Sequence, residues 1–252
     1  MDLGNWMLPA LFAVGAVAGC VDAIAGGGGL LTVPVLLGAG LPAQVALGTN
    51  KFQSSCGTAL AAWNYARAGL LPWRQLVPGL IVTFLSALSG AWMVTRLDPA
   101  LLKRVIPGLL LVIAVYTALR PNLGAGPQRA RMGLTAFGIV FGVGLGFYDG
   151  FFGPGTGSFW MMACVLVMGL DLRAATGHTK AMNLTSNLAS LAWFAAAGRV
   201  DFLIGLVMAG GQLIGAHLGS RMAIRHGGAL IRPVFLAAVI ALTLKLLWDA
   251  IR

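Results

Sequence analysis

Long apolar segments separated by short polar gaps run along this chain. Eight of them are long enough to cross a membrane as helices, and they lie near 6–25, 43–66, 76–95, 100–119, 133–152, 174–197, 200–220 and 229–248. Two further apolar runs, 30–41 and 158–169, are too short, because twelve helical residues rise only about 18 Å against a hydrocarbon core of about 30 Å. The pattern predicts an all-α polytopic membrane protein with eight full spans and two short half-helices.

Glycine-rich breaks precede both short runs and decide how the runs are counted. The first break is Gly26 to Gly29, and the second is Gly153-Pro154-Gly155-Thr156-Gly157. If the first break is extended at about 3.3 Å per residue it adds about 13 Å, so that break and half-helix together reach about one bilayer thickness. The short runs then cross the membrane and give ten crossings. If they dip in and return, eight crossings remain.

The sequence repeats itself at a constant offset of 129 residues. Lys51 corresponds to Lys180, and the same offset relates three further pairs, Gly69 to Gly198, Gly90 to Gly219 and Arg96 to Arg225. The repetition predicts two homologous transmembrane repeats, 1–120 and 133–252, joined by a linker at 121–132. Five crossings in each repeat make the repeats inverted, whereas four make them parallel.

The composition excludes a soluble domain. Hydrophobic residues make up 58% of the chain and charged residues 10%, with a mean hydropathy of +0.87, which is far from the usual globular range. The formal charge is +10, but the basic residues are scattered in loops at helix ends and do not form the patch that binds nucleic acid. We interpret them as topology signals and contacts to membrane lipids.

The distribution of basic residues between the loops favours the inverted arrangement. With ten crossings, one side carries nine basic residues and the other six; the nine are Arg67, Arg74, Arg120, Arg129, Arg131, Arg173, Arg221, Arg225 and Arg232. With eight crossings, the same fifteen residues split eight to seven and give no bias. Because basic loops remain in the cytoplasm, the count predicts that both termini lie outside it.

Polar residues form a stripe on the helix that carries each lysine. Lys51, Ser54 and Thr58 are spaced i, i+3 and i+7, and the second half repeats this spacing with Lys180, Asn183 and Asn187. Such a stripe lies on one helical face. A lysine within hydrocarbon is costly, so it faces the bundle interior and has a partner. Two interpretations remain open: each lysine forms a structural ion pair with an aspartate, or both line an anion site between the repeats.

The glycine breaks support an anion site through a second effect. A half-helix that starts at Leu30 or Ser158 directs free N–H groups and the positive end of its dipole toward the membrane interior. Glycine lets the backbone approach a ligand closely, so the candidate site includes backbone around both breaks, at Gly28, Gly29, Gly155, Thr156 and Gly157. The alternative is that these glycines merely permit tight helix packing.

Asp22 and Asp149 directly precede the two breaks. Glu is absent, so seven Asp are the only acidic side chains, and these two lie deep in apolar sequence. They are candidates for proton coupling, with capping of the half-helices or pairing with the lysines as the alternative. His178 can also titrate, but its counterpart by offset is Thr49, so it is a weaker candidate.

These motifs resemble the TauE/SafE family of sulfite exporter-like permeases, and most closely its YfcA-like branch. In the first half they read Asp22-Ala-Ile-Ala-Gly-Gly-Gly-Gly-Leu-Leu-Thr-Val-Pro34 and Gly48-Thr-Asn-Lys51; in the second, Gly146-Phe-Tyr-Asp-Gly-Phe-Phe-Gly-Pro-Gly-Thr-Gly157 and Lys180-Ala-Met-Asn-Leu-Thr-Ser-Asn187. The resemblance implies an inner-membrane permease for sulfite, sulfonates or other small anions. Proteins of this family are commonly drawn with eight spans. The residues that precede the lysines differ between the halves, and Asn50 and Thr179 join the candidate binding residues.

The main hypothesis is therefore a secondary transporter of small anions, located in the bacterial inner membrane. An anion channel would use the same lysines and helix dipoles but needs a continuous pore. A membrane assembly factor without transport is the other alternative. We expect no enzyme activity, since no nucleophile and base pair is evident, and no cofactor, metal or nucleic acid. Cys20, Cys56 and Cys164 lie in apolar segments and suggest no disulfide framework. A homo-oligomer is left open.

Overall fold

The computed structural model describes residues 6–98, 100–102, 130–231, 233–234 and 237. Within these ranges it contains eight α-helices and no β-strand: α1 (Met7–Ala25), α2 (Gly28–Gly38), α3 (Ala43–Arg67), α4 (Trp73–Thr95), α5 (Leu134–Phe151), α6 (Thr156–Met168), α7 (Leu172–Ala196) and α8 (Phe202–His226). Most of the predicted spans near 100–119 and 229–248, and most of the predicted linker at 121–132, lie outside the described residues. The prediction of an all-helical polytopic membrane protein is confirmed.

Helix lengths and compositions separate three kinds of helix among the described residues. Four helices, α1, α4, α5 and α8, are long and apolar enough to cross a membrane. The 25-residue helices α3 and α7 are also long enough, at about 37 Å, but they carry the polar stripes. The short helices α2 and α6 have 11 and 13 residues. Their boundaries lie within two or three residues of the predicted runs.

The first glycine break has a different conformation from the extended one that we considered. Gly26 adopts a left-handed conformation, with φ of +78°, and its N–H donates to the carbonyl of Asp22. This is an ordinary glycine cap for α1. Helix α2 already begins at Gly28, so two of the four glycines are helical. The estimate of about 13 Å from an extended break is therefore wrong, and the chain turns tightly between α1 and α2.

Helices of the first half pack mainly against helices of the second. The most extensive contacts join α1 to α8 and α4 to α5. Small residues make these contacts close: a Cβ added at Gly215 would lie 1.9 Å from the carbonyl oxygen of Ala16, and one at Gly150 would lie 1.9 Å from that of Ala87. These helical glycines therefore form packing faces that let two backbones touch. Neither half could bury its apolar faces in this way alone.

The long helices in the core run in two opposite directions. Along the contacts of α1 with α8, of α3 with α8 and of α4 with α5, the residue numbers of both helices increase together. Examples are Gly15 with Met208, Phe52 with Gly205, and Gly79 with Gly138. Each of these pairs is parallel. Contacts between α3 and α7 change in opposite senses, as in Gly48 with Phe194 and Tyr65 with Gly177. These two helices, which begin 129 residues apart, are antiparallel.

Candidate functional site

Lys51, on α3, forms a buried ion pair with Asp149, on α5. Lys51 Nζ lies 2.7 Å from Asp149 Oδ1 and donates a second hydrogen bond, of 3.1 Å, to Asn187 Oδ1 on α7. The hydroxyl of Ser186 donates to the other carboxylate oxygen, Asp149 Oδ2. The side chains of Lys51 and Asp149 are only 2% and 4% exposed. Charges buried this deeply need both a counter-charge and hydrogen bonds, and this pair has both.

Lys180, on α7, pairs with Asp22, near the end of α1. Its Nζ lies 2.9 Å from Asp22 Oδ2 and also donates to the backbone carbonyl oxygen of Asp22. The other carboxylate oxygen, Asp22 Oδ1, accepts a 3.3 Å hydrogen bond from the N–H of Gly28, the first residue of α2. Asp22 therefore holds both Lys180 and the N-terminus of α2, where a negative charge is favourable.

Both ion pairs connect one half of the chain to the other. The lysine of the first half pairs with the aspartate of the second, and the lysine of the second pairs with the aspartate of the first. The ion-pair interpretation of the lysines therefore describes this structure. Because each pair is electrically neutral while its aspartate is ionised, a lysine becomes available to an anion only when that aspartate is protonated or the pair separates.

The two glycine breaks touch each other between the ion pairs. A Cβ added at Gly26 would lie 2.5 Å from the carbonyl carbon of Gly157, and one at Gly157 would lie 2.5 Å from the carbonyl oxygen of Gly26. Ser158 Oγ also donates to the carbonyl oxygen of Ala25, at 3.2 Å. Tight packing therefore requires glycine at both positions.

The N-termini of the short helices consequently meet near the centre of the described bundle. The backbone N–H groups of Gly157 and Ser158 have no hydrogen-bond partner within the described ranges. A Cβ added at Gly157 would lie 2.7 Å from Asn183 Nδ2. Asn183 Oδ1 is buried and has no hydrogen-bond partner among the described residues. Free N–H groups and the positive ends of helix dipoles are the groups that stabilise an anion.

Asn50 is the centre of a polar cluster that connects α2 and α3. Its Oδ1 accepts hydrogen bonds from Thr32 Oγ1, from Gln53 Nε2 at 2.9 Å and from Ser54 Oγ at 3.5 Å. Its Nδ2 lies 3.6 Å from the position of a Cβ at Gly29. The cluster places Asn50 and Ser54 beside the first short helix, and neither of them bonds to a lysine.

Other candidate residues are hydrogen-bonded to nearby backbone. Thr179 Oγ1 donates to the carbonyl of Ala175, and Thr156 Oγ1 to that of Gly153, so neither hydroxyl reaches an ion pair. His178 Nδ1 is 2.8 Å from the carbonyl oxygen of Ala174. Gly155 adopts a left-handed conformation immediately before α6. Thr58 accepts a 3.5 Å hydrogen bond from Asn187 Nδ2 and so connects to Lys51 through that amide.

Sequence reasoning missed Ser186, Gln53, Thr32 and Gln212. Ser186 is hydrogen-bonded to Asp149, and it precedes Asn187 and lies three residues after Asn183, so the polar stripe could have been extended to it. Gln53 and Gln212 are fully buried, and three of their amide atoms lack partners within the described ranges. No periodic signal in the sequence indicates them.

Carboxylates at the centre are paired with lysines. In the described part of the chain, no group of three or more His, Cys, Asp or Glu side chains could hold a metal ion. Cys20, Cys56 and Cys164 are free thiols. The chemistry that these residues offer is therefore reversible charge pairing and hydrogen bonding.

Broken helices, buried ionisable residues and contacts between two halves define a class, the polytopic membrane transporters. The family model described as sulfite exporter TauE/SafE matches residues 11–246. The chain belongs to this family. It is an integral protein of the bacterial inner membrane.

Relatives of known name agree with this assignment. A "Probable membrane transporter protein" of Haemophilus influenzae is 42% identical over 249 residues, which cover 99% of this chain and 98% of the relative. The "Probable membrane transporter protein YfcA" of Escherichia coli is 39% identical over 244 residues, covering 97% of this chain and 91% of the relative. "Probable membrane transporter protein ORF9" of a Sinorhizobium species is 40% identical, with 98% and 95% covered. No solved structure matches the chain.

Proposed function

We propose that this chain is a secondary transporter of small anions and that its substrates are sulfur-containing anions such as sulfite or organosulfonates. The observation that carries the proposal is the centre itself, where two ion pairs and the N-termini of two broken helices come together. The substrate site would lie there, between the two repeats. Lys51, Asn183, Asn187 and the N–H groups of the second break would supply positive charge and hydrogen-bond donors, and Lys180 would hold Asp22 beside the site.

Burial of the central charges favours a transporter over a channel. Lys51 and Lys180 are 2% and 0% exposed, and the glycine breaks touch. A continuous anion pore would keep its lysines in contact with water. A site that is closed in one state and opened by movement of one half against the other is what alternating access requires.

We further propose that the two halves, 1–120 and 133–252, are inverted repeats of five membrane segments each. Support comes from the antiparallel packing of the equivalent helices α3 and α7, because an axis along the membrane normal would make equivalent helices parallel. The parallel packing of α1 and α3 with α8 also fits, since α2 must then return the chain to the side of the membrane from which α1 starts. The short helices would thus be return segments that begin near the centre of the bundle.

Basic residues at the helix ends support the same topology. The helix directions place six described arginines at one end of the bundle, namely Arg67, Arg74, Arg131, Arg173, Arg221 and Arg225. Only Arg96 and Arg199 of the described residues lie at the other end. The arginine-rich end is the cytoplasmic one by the positive-inside rule, so both termini would lie outside the cytoplasm.

Thiol labelling tests the topology. We expect a cysteine at Asp98 to react with an impermeant reagent applied to intact cells, and a cysteine at Asn122 to react only after permeabilisation, in a background that lacks the three native cysteines. Labelling of Asn122 but not Asp98 from outside would reverse the orientation. Equal sidedness of positions 98 and 227 would show parallel repeats, because the inverted arrangement places them on opposite sides.

Ligand-dependent unfolding tests the substrate class. Sulfite, thiosulfate, sulfonates, sulfate and carboxylates are added separately to purified protein, and the unfolding temperature is measured. We expect a sulfur oxyanion or sulfonate to stabilise the protein by about 2.7 kcal/mol at 100 times its dissociation constant, and acetate to have little effect. Equal stabilisation by every anion would indicate a general salt effect and contradict a specific site.

A further inference from the structure

The two ion pairs are equivalent by position but not by surroundings. At the offset of 129, Ser186 corresponds to Gly57 and Asn187 corresponds to Thr58. Ser186 donates a hydrogen bond to Asp149, and Asn187 accepts one from Lys51. The equivalent positions form no such hydrogen bonds with the Asp22–Lys180 pair, because Gly57 has no side chain and the Thr58 hydroxyl accepts a hydrogen bond from Asn187.

Backbone groups take the place of these side chains around Asp22. Lys180 donates to the Asp22 carbonyl as well as to its carboxylate, and the carboxylate accepts from the N–H of Gly28. The carboxylate of Asp22 therefore has one charged donor, Lys180, and one backbone donor, the Gly28 N–H. The Asp22 carboxylate also connects the end of α1 to the start of α2. Protonating it would weaken a contact that shapes the first glycine break.

Asp149 has partners that suit both of its protonation states. The Ser186 hydroxyl donates to the ionised carboxylate and can accept from the protonated one, because a hydroxyl is both donor and acceptor. Lys51 keeps Asn187 Oδ1 as a partner when Asp149 is neutral, and its remaining N–H groups then become available to an anion. No backbone hydrogen bond is lost in this change.

Charged groups near Asp149 are few within the described ranges. Lys51 faces it from α3, while Lys180 on α7 is occupied by Asp22. The neighbouring helix α6 has no charged residue, and the Arg74 side chain of α4 is exposed. The hydroxyl of Tyr148 donates to the carbonyl of Pro154. Lys51 and Ser186 are therefore the described side chains that contact the Asp149 carboxylate.

We propose that proton coupling is confined to the Asp149–Lys51 pair, and that the Asp22–Lys180 pair is a permanently ionised clamp. A proton from the aqueous phase binds Asp149 Oδ2 and converts the carboxylate to a carboxylic acid. Lys51 is thereby released to the anion. Loss of that proton to the opposite side restores the ion pair and expels the anion. This assignment rests on the proposed transport function and specifies which of the two acids serves it.

Infrared difference spectroscopy during an acid titration tests the assignment without any substrate. A buried protonated carboxyl has a C=O stretching band separate from those of carboxylates and of exposed acids. We expect this band in the native protein and in the Asp22→Asn/Lys180→Met variant, and we expect its loss in Asp149→Asn/Lys51→Met. The double variants remove both charges of a pair, so that neither leaves a single buried charge. A band that vanishes with Asp22, or that depends on both acids, would overturn the proposal.

Proteoliposomes loaded with methanesulfonate, which stays ionised at all pH values used, provide the transport measurement. We expect an imposed pH gradient to accelerate net flux in the native protein, and Asp149→Asn to lose this response while it still exchanges methanesulfonate for methanesulfonate. Retention of the full response in Asp149→Asn would overturn the assignment. Absence of methanesulfonate flux in the native protein would contradict the proposed substrate class instead, and the infrared result would still decide between the two acids.

Discussion

Replacing Lys51 with Met is expected to abolish anion binding and to destabilise the protein by about 3–5 kcal/mol. The loss of stability follows because Asp149 would remain buried without its counter-charge. The loss of binding follows because the positive charge at the centre is removed. Thermal unfolding of the purified variant, with and without sulfite, measures both effects.

The Lys51→Met/Asp149→Asn variant separates these two effects. Removing both charges of a buried pair is often close to neutral for stability, so we expect most of the lost stability to return while the response to sulfite stays absent. If the double variant regained full sulfite binding, Lys51 would be only a structural partner of Asp149. The ion-pair interpretation of the sequence would then be sufficient.

Replacing Gly157 with Ala is expected to destabilise the protein by about 3 kcal/mol, at the upper end of the usual cost of overpacking. The added Cβ would lie 2.5 Å from the carbonyl oxygen of Gly26 and 2.7 Å from Asn183 Nδ2. Relief of this clash would separate the two glycine breaks, so transport should fall with stability. Chemical or thermal unfolding of the purified protein measures the loss of stability, and sulfite flux measures the loss of transport.

Gly144→Ala is the matched control for that substitution. Gly144 lies on an exposed face of α5, and an added Cβ would meet no atom within 4 Å. Alanine is the better helix former, so a neutral effect or a gain of about 0.5–1 kcal/mol is expected. Equal destabilisation by both substitutions would show that the close contact between the breaks has no special importance.

Helix positions were predictable because apolar runs and glycine breaks are local signals. The boundaries of α1 and α3 lie within one residue of the apolar segments in the sequence. The conformation of the first break was not predictable in this way, because several backbone states suit glycine and tertiary packing selects among them. Here Gly26 caps α1 and contacts Gly157.

The pairing of the two central lysines with the two aspartates was only partly predictable. The sequence indicates two lysines and two aspartates with few alternatives, since unpaired charges are costly within a membrane. It does not indicate that each pair joins opposite halves, because that depends on contacts between residues 98 and 158 positions apart. Ser186 was missed because one serine among several on a helix gives no distinctive signal.

We propose that the protein transports a small anion through a site formed by both halves. Counterflow in proteoliposomes tests it most directly: vesicles are loaded with unlabelled sulfite and diluted into labelled sulfite, and the internal label is followed. We expect a transient, saturable accumulation of label by the native protein and none by Lys51→Met/Asp149→Asn. Flux that never saturates, or equal accumulation by both proteins, would contradict carrier transport through this site.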